Sequence, residues 1–404
     1  MVEERRRARP VLRAPRHDVA TRPFIVIWEC TRACALACVH CRADAEPRRQ
    51  PGELSTEEAA ELARQVAAFG QPAPLFVITG GDPFARDDLF DIVRAAVAHG
   101  LAVAVSPSGT PSLTMANLAA LKDAGATAIS LSIDGSTAAR HDEFRGVSGV
   151  FDHTIAAWDA ARDIGLRVQI NSTVSDHNLT DLPAIVRLVA ERGAMTWSAF
   201  LLVPTGRARD LNALDAATVE DLLNFVYDAG DFIPARTTEA HHFRRVALQR
   251  DILARRGLDP VEVLGLGPLY RRLSEDLTTA LRDVSRRARR APMDVNAGRG
   301  FVFVSHLGDV HPSGFLPLAA GNVRDQPLTA VYRDSRLFTE LRDVGGYRGR
   351  CGRCEFAAVC GGSRSRAYAL TGDPLAEEPW CGYQPASFPF QDDVAELLSA
   401  AGRR

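Results

Sequence analysis

With 404 residues, of which 46% are hydrophobic and 24% charged, the chain can form more than one domain and has the composition of an ordinary globular protein. A formal net charge of −2 gives no general attraction to nucleic acid or anionic membrane, and no apolar run is long enough to span a bilayer. Lys122 is the only lysine among 48 basic residues, which argues against chemistry on a Schiff-base lysine.

Residues 1–22 form an arginine-rich head without an apolar signal core, expected as a disordered tail. With eight cysteines and no export signal, thiols or metal ligands are expected rather than disulfides, and a cytoplasmic location. A β-branched run at 24–29 reads as the first strand. Directly after it stand Cys34, Cys38 and Cys41, in the spacing C-x3-C-x2-C. Three thiolates on one short loop can hold three irons of a cubane and leave the fourth iron open for chemistry. The spacing is not that of paired C-x2-C zinc clips. Cys30, at the strand end, reads as a small buried thiol.

From Pro23 to about Gly206 strand and helix patterns alternate. Strands are predicted at 24–29, 75–79, 101–106, 128–133, 167–173 and 197–203. Helices are predicted at 56–69, 87–99, 112–124, 150–164 and 182–192, with Ser55 and Glu58 as a capping box. Such alternation implies parallel βαβ units, with ligands at the C-terminal strand ends. The second predicted strand runs into Gly80-Gly81-Asp82-Pro83, where glycine admits close backbone approach. The fourth ends in Ser130-Leu131-Ser132-Ile133-Asp134, whose alternation puts Ser130, Ser132 and Asp134 on one face. Residues 237–292 read as arginine-rich helices, a solvated linker or a lid. From residue 301 short strands lead into Cys351, Cys354, Cys360 and Cys381, spaced C-x2-C-x5-C-x20-C. By spacing alone these four suit zinc or a 4Fe-4S cluster equally well.

The segment from Trp28 to Cys41, with the Gly-Gly-Asp-Pro turn one βα unit later, resembles the radical S-adenosylmethionine (SAM) enzymes. The tail cysteines, with Cys360-Gly361-Gly362 and Pro379-Trp380-Cys381, resemble the SPASM or twitch extension of that family. The resemblance implies an α/β fold: a partial (β/α)6 TIM-like barrel over 23–206, a helical linker or lid over 207–295, a SPASM/twitch-like iron–sulfur domain over 296–390, and a C-terminal helix over 391–404. It implies an open-site, SAM-binding 4Fe-4S cluster on Cys34, Cys38 and Cys41. SAM is cleaved there to methionine and a 5′-deoxyadenosyl radical. It also implies an auxiliary 4Fe-4S cluster on Cys351, Cys354, Cys360 and Cys381. Full SPASM domains carry seven cysteines and two auxiliary clusters. Here Ser313 stands where a cysteine is often found, so one auxiliary cluster is expected. For SAM, the resemblance implies contacts from Gly80, Gly81, Asp82 and Pro83, ribose contacts from Ser132 and Asp134, and a methionyl contact from Asn171. Arg145 would pair with the carboxylate, Ser106 and Ser108 are weaker members of the pocket, and His40 is packing.

The implied partners are a reductant such as flavodoxin or ferredoxin and a peptide or small-molecule substrate. The implied reaction is hydrogen abstraction, with peptide or cofactor maturation slightly favoured. The alternative is decarboxylation of a tetrapyrrole side chain, with Glu239, His241, His242 and Arg244 as substrate contacts or a polar loop. Only about 22 residues precede the first strand, so a peptide substrate would call for a separate recognition protein.

Overall fold

The computed structural model describes residues 10–402. Its centre is one sheet with strands β1 (Ile25–Glu29), β2 (Leu75–Thr79), β3 (Val103–Val105), β4 (Ala128–Ser132), β5 (Arg167–Val174), β6 (Thr196–Leu201) and β7 (Ala235–Thr238). These seven are parallel and neighbour one another in chain order. The sequence expected six. The seventh carries Ala-Arg-Thr-Thr, too short and too polar to show an apolar period.

On the other side of β1 the sheet continues into β9 (Gly300–Val304), parallel to it, and then into antiparallel β10 (Asp309–His311) and β11 (Gly321–Asn322). A short β8 (Asn296–Ala297) pairs with β9. Among the described residues β1 pairs with β2 and β9 and not with β6 or β7, so the hydrogen bonding does not close a barrel.

Alternation along each strand gives the sheet two unlike faces. Val26, Trp28, Phe76, Ile129, Ile170 and Trp197 point into the main core, shared with helices such as Thr56–Ala67 and Leu182–Arg192. The first of these helices begins with the expected Ser55–Glu58 capping box. The other face is two-toned. Over β1–β3 it carries Ile27, Val77 and Ala104. Over β4–β7 it carries Ser132, Asn171, Ser198 and Arg236, which follow one another across the register.

Two expected elements differ from the structure. Residues 10–22 are not a disordered tail: Arg13 forms a bridge with Met293, and the carbonyls of Val19 and Thr21 accept from Tyr332 and Arg333. The first nine residues of that tail lie outside the described chain. The arginine-rich segment is not a solvated linker either. Besides supplying β7, it forms the helix Phe243–Arg256, whose Arg244, Arg245 and Arg250 are all buried. The guanidinium of Arg245 is paired with Glu220 at 2.6 Å, and that of Arg250 with Asp228. Arginine density therefore marks buried ion pairs here as well as solvated surface.

Candidate functional site

The loop after β1 folds its three cysteines into one small apolar group with Leu36, Val147 and Val150. Each thiol meets a donor. Leu36 N–H lies 3.4 Å from Cys34 Sγ, Ala45 N–H 3.5 Å from Cys41 Sγ, and Arg145 Nη1 3.8 Å from Cys38 Sγ. Ser108 Oγ stands 3.7 Å from Cys34 Sγ and donates to the carbonyl of Gly81. Burial nevertheless pushes the Cys34 thiol up, with the Leu36 N–H only partly offsetting it, so a cationic partner such as iron is needed to ionise it. Cys30 is fully buried away from this group, and burial pushes its thiol far up.

The glycine turn after β2 is built against this loop. A Cβ on Gly80 would lie 2.5 Å from the carbonyl oxygen of Thr31, and one on Gly81 2.4 Å from that of Ala33. Neither glycine has positive φ; close approach is the reason for both. Gly81 N–H and Asp82 N–H donate to Thr31 and Ala33. Asp82 is buried and accepts from Phe84 N–H, Ser108 N–H and the Thr110 hydroxyl. Its carboxylate therefore ties the β2 turn to the loop after β3, and Pro83 opens a short 3-10 turn.

Gly206 and Arg207, in the 203–207 segment after β6 where the resemblance implies backbone contacts to adenine, hold the cysteine loop from its other side. Arg207 donates through Nε to Cys38 O at 2.9 Å and through Nη1 to Ala45 O at 3.2 Å. Gly206, at φ +57°, comes so close that a Cβ there would meet the carbonyls of Cys41 and Arg42 at 2.4 Å.

Asp134 and Arg145 depart from their expected roles. Asp134 is wholly buried; it accepts from Thr173 N–H at 2.7 Å and pairs with Arg145. Burial works against the Asp134 carboxylate, but the Arg145 charge outweighs it and holds its pKa below the usual range. The two groups are therefore engaged with each other, while among the described residues Asp134 Oδ2 and Arg145 Nε have no further hydrogen-bond partner. Ser132 and Asn171 stand side by side, half-buried on the inner face. Asn171 Oδ1 accepts from Gln169. His40 stacks on Phe144 at 4.2 Å, and burial pushes its pKa down to about 3, so it is a neutral ring.

Cys351, Cys354, Cys360 and Cys381 line one cavity with His242, Arg245 and Glu378. Glu378 N–H and Arg364 Nη2 reach Cys351 Sγ at 3.3 and 3.7 Å, and Gly362 N–H reaches Cys360 Sγ at 3.4 Å. Burial pushes the Cys354 and Cys360 thiols up to about 12, so a cationic partner is needed to ionise them. Among the described residues no three His, Cys, Asp or Glu side chains converge closely enough to share a single ion. Thiolates of a cubane each take a different iron.

The four side chains of the Glu239 segment serve this tail. Glu239, at φ +54°, accepts from the hydroxyls of Ser313, Ser363 and Ser365. His242 is buried in the cysteine cavity, Arg244 donates to the carbonyls of Val295 and Cys360, and His241 is half-buried beside them. The segment packs against the tail rather than standing as an exposed polar loop, and among the described residues both ring nitrogens of His242 have no hydrogen-bond partner.

A parallel α/β sheet with a cysteine loop after its first strand and a glycine turn after its second is the frame of a cofactor-dependent enzyme. Residues 28–189 match the model of the Radical SAM superfamily, and the chain belongs to that family. It is 39% identical to an AdoMet-dependent heme synthase of Oleidesulfovibrio alaskensis, over 91% of this chain and 89% of that one. It is 28% identical to the mycofactocin maturase MftC of Mycobacterium tuberculosis, over 89% of this chain and 83% of that one. Its fold is similar to that of Streptococcus suis SuiB bound to S-adenosylmethionine, with a TM-score of 0.61 and 14% identity over 92% of this chain and 78% of that one. The family implies SAM and a 4Fe-4S cluster as cofactors. No helix among the described residues is long and apolar enough to cross a membrane.

Proposed function

We propose that the protein is a radical SAM enzyme of tetrapyrrole synthesis that turns propionate side chains of an iron tetrapyrrole into vinyl groups. The observation that carries this is the identity, which is higher to a heme synthase than to a peptide maturase over nearly the same span of the chain. The two-toned sheet face supports it, because an apolar half beside a polar, arginine-bearing half suits a flat apolar ring with acidic arms. Peptide maturation, slightly favoured by the sequence, is the second reading and rests on the maturase relative.

Converting one propionate to a vinyl group releases one hydrogen atom, one CO2 and one electron. Bound to the chain, SAM and an open-site 4Fe-4S cluster supply the hydrogen-abstracting radical, and a second, fully ligated cluster accepts the electron. Cys34, Cys38 and Cys41 are the ligands assigned to the first cluster, with Leu36, Ala45 and Arg145 donating to their sulfurs. Gly80 and Gly81 bring the β2 turn against that loop. Ser132 and Asn171 are assigned to SAM, and Asp134 positions Arg145. Cys351, Cys354, Cys360 and Cys381, which line one cavity, are the ligands assigned to the auxiliary cluster. The Glu239–Ser313–Ser365 network stands where a further cysteine would be expected, which supports a single auxiliary cluster. A flavodoxin or ferredoxin is the class of reductant required.

The test is anaerobic incubation of the reconstituted protein with SAM, dithionite and iron coproporphyrin III, a tetrapyrrole with four propionates. Stepwise loss of CO2 in the product mass, with one 5′-deoxyadenosine per vinyl group formed, is the expected result. An unchanged porphyrin, together with SAM cleavage stimulated by a peptide, would assign the enzyme to peptides instead.

A further inference from the structure

Arg145, Arg245, Arg250 and Arg366 have acidic partners. Three arginines near the start of β6 and β7, Arg236 and Arg290 exposed and Arg13 half-buried, do not. Arg236 projects from β7 onto the inner face, where its Nε donates to Ser198 Oγ at 3.3 Å. Arg290 reaches the same face two residues earlier on β6, donating through Nη1 to Thr196 Oγ1 at 3.3 Å. Arg13 stands beside them, held by its backbone bridge to Met293 and by Nε donation to Ala291 O at 2.8 Å.

Among the described residues none of the three has a carboxylate within salt-bridge distance. Arg236 is accessible to solvent yet deeply set in protein. Burial, with the charges of Arg290 and Arg13, lowers its pKa to about 10, and Arg290 lowers that of Arg13 in turn. Arg236 is therefore still a cation at neutral pH. Like charges gathered without a counter-charge cost stability, and a bound anion removes that cost. Guanidinium forks bind carboxylates in pairs of parallel hydrogen bonds, and the Ser198 and Thr196 hydroxyls add neutral partners.

We propose that Arg236, Arg290 and Arg13, with Ser198 and Thr196, form an anion subsite that holds carboxylate groups of the substrate. Resting on the tetrapyrrole reading, the subsite takes propionates that are retained in the product. The apolar residues of the same face, Ile27, Val77 and Ala104, take the ring. Arg236 sits in register with Ser198, Asn171 and Ser132, so the subsite continues the row of polar side chains that leads toward the cysteine loop.

The test is titration of the reconstituted full chain, with SAM bound, using iron coproporphyrin III and its tetramethyl ester, read by the porphyrin absorbance. The wild type should bind the acid at least tenfold more tightly than the ester. Arg236→Leu and Arg290→Gln should each lose tenfold or more for the acid with little change for the ester, which also reports that the variants are folded; Arg236→Lys should fall between. Equal binding of acid and ester by the wild type, or unchanged binding of the acid by both variants, would overturn the subsite.

A second measurement separates this inference from the choice of ring. Phenylglyoxal labelling of Arg236 and Arg290, mapped by mass spectrometry, should be slowed by glutarate. Protection by glutarate without uptake of either porphyrin would keep the carboxylate subsite and reject the tetrapyrrole. No protection by glutarate or by the porphyrin acid would reject the subsite itself.

Discussion

Arg366 and Glu378 form an ion pair in which neither side chain is exposed, with Nη1 of the arginine 3.1 Å from each carboxylate oxygen. The same guanidinium donates through Nη2 to the carbonyls of Leu202 and Glu239, the chain just after β6 and β7. Its plane lies over Trp380 at 4.3 Å. One buried cation thus pins the four-cysteine tail to the end of the parallel sheet. Glu378 also presents its backbone N–H to Cys351, so the pin reaches a proposed cluster ligand.

Removing that cation leaves a buried carboxylate unpaired, which costs about 3–5 kcal/mol. Arg366→Met should lower unfolding stability by about that amount. It should also lower tail iron content, measured in a background where Cys34, Cys38 and Cys41 are alanine. Unchanged stability and iron would show that the pin does not hold the tail.

Gly81→Ala should act on the other cysteine group. A methyl group 2.4 Å from Ala33 O and 2.6 Å from Arg32 O has no room, and both neighbours are backbone. The β1 loop must shift, so iron content after reconstitution should fall by about half while the tail retains its share. Full iron content in this variant would contradict the packing of turn on loop.

A pH dependence follows from Glu29. Its carboxylate is buried between Arg42 Nη2 at 2.5 Å and His306 Nδ1 at 3.0 Å. Burial alone would raise its pKa, but Arg42 and His306 outweigh burial and bring it down to about 2 from 4.5. A group whose folded pKa is depressed stabilises above its unfolded pKa and loses that contribution as pH falls through the folded value. Its contribution is therefore complete above about pH 5 and lost toward about pH 2, and amounts to roughly 3 kcal/mol. Chemical unfolding of Glu29→Gln should show a deficit of that order at pH 7 that shrinks as the pH is lowered. A deficit independent of pH would mean that the charge contributes nothing.

Much of this was legible in the sequence because the first six strands are β-branched runs separated by helices with their own stops. β7 was not, since four residues without an apolar period carry no signal. The parallel pairing of β1 with β9 joins Ile25 to Phe301 across most of the chain, and nothing local encodes it. The cysteine loop after β1 and the glycine turn after β2 could be placed at strand ends from the sequence. The setting of Asp134 could not, because its burial depends on Arg145, His40 and Thr173 arriving from three other segments. Glu239 looked like part of a polar loop because its serine partners lie more than seventy residues away.

The most direct test of the account is an anaerobic measurement of iron, sulfide and dithionite-driven SAM cleavage on the reconstituted protein. About eight irons per chain are expected. 5′-Deoxyadenosine formation should be abolished when Cys34, Cys38 and Cys41 are alanine and retained when the tail cysteines are. A fully loaded protein that cleaves no SAM, or cleavage that survives loss of the three loop thiols, would contradict it.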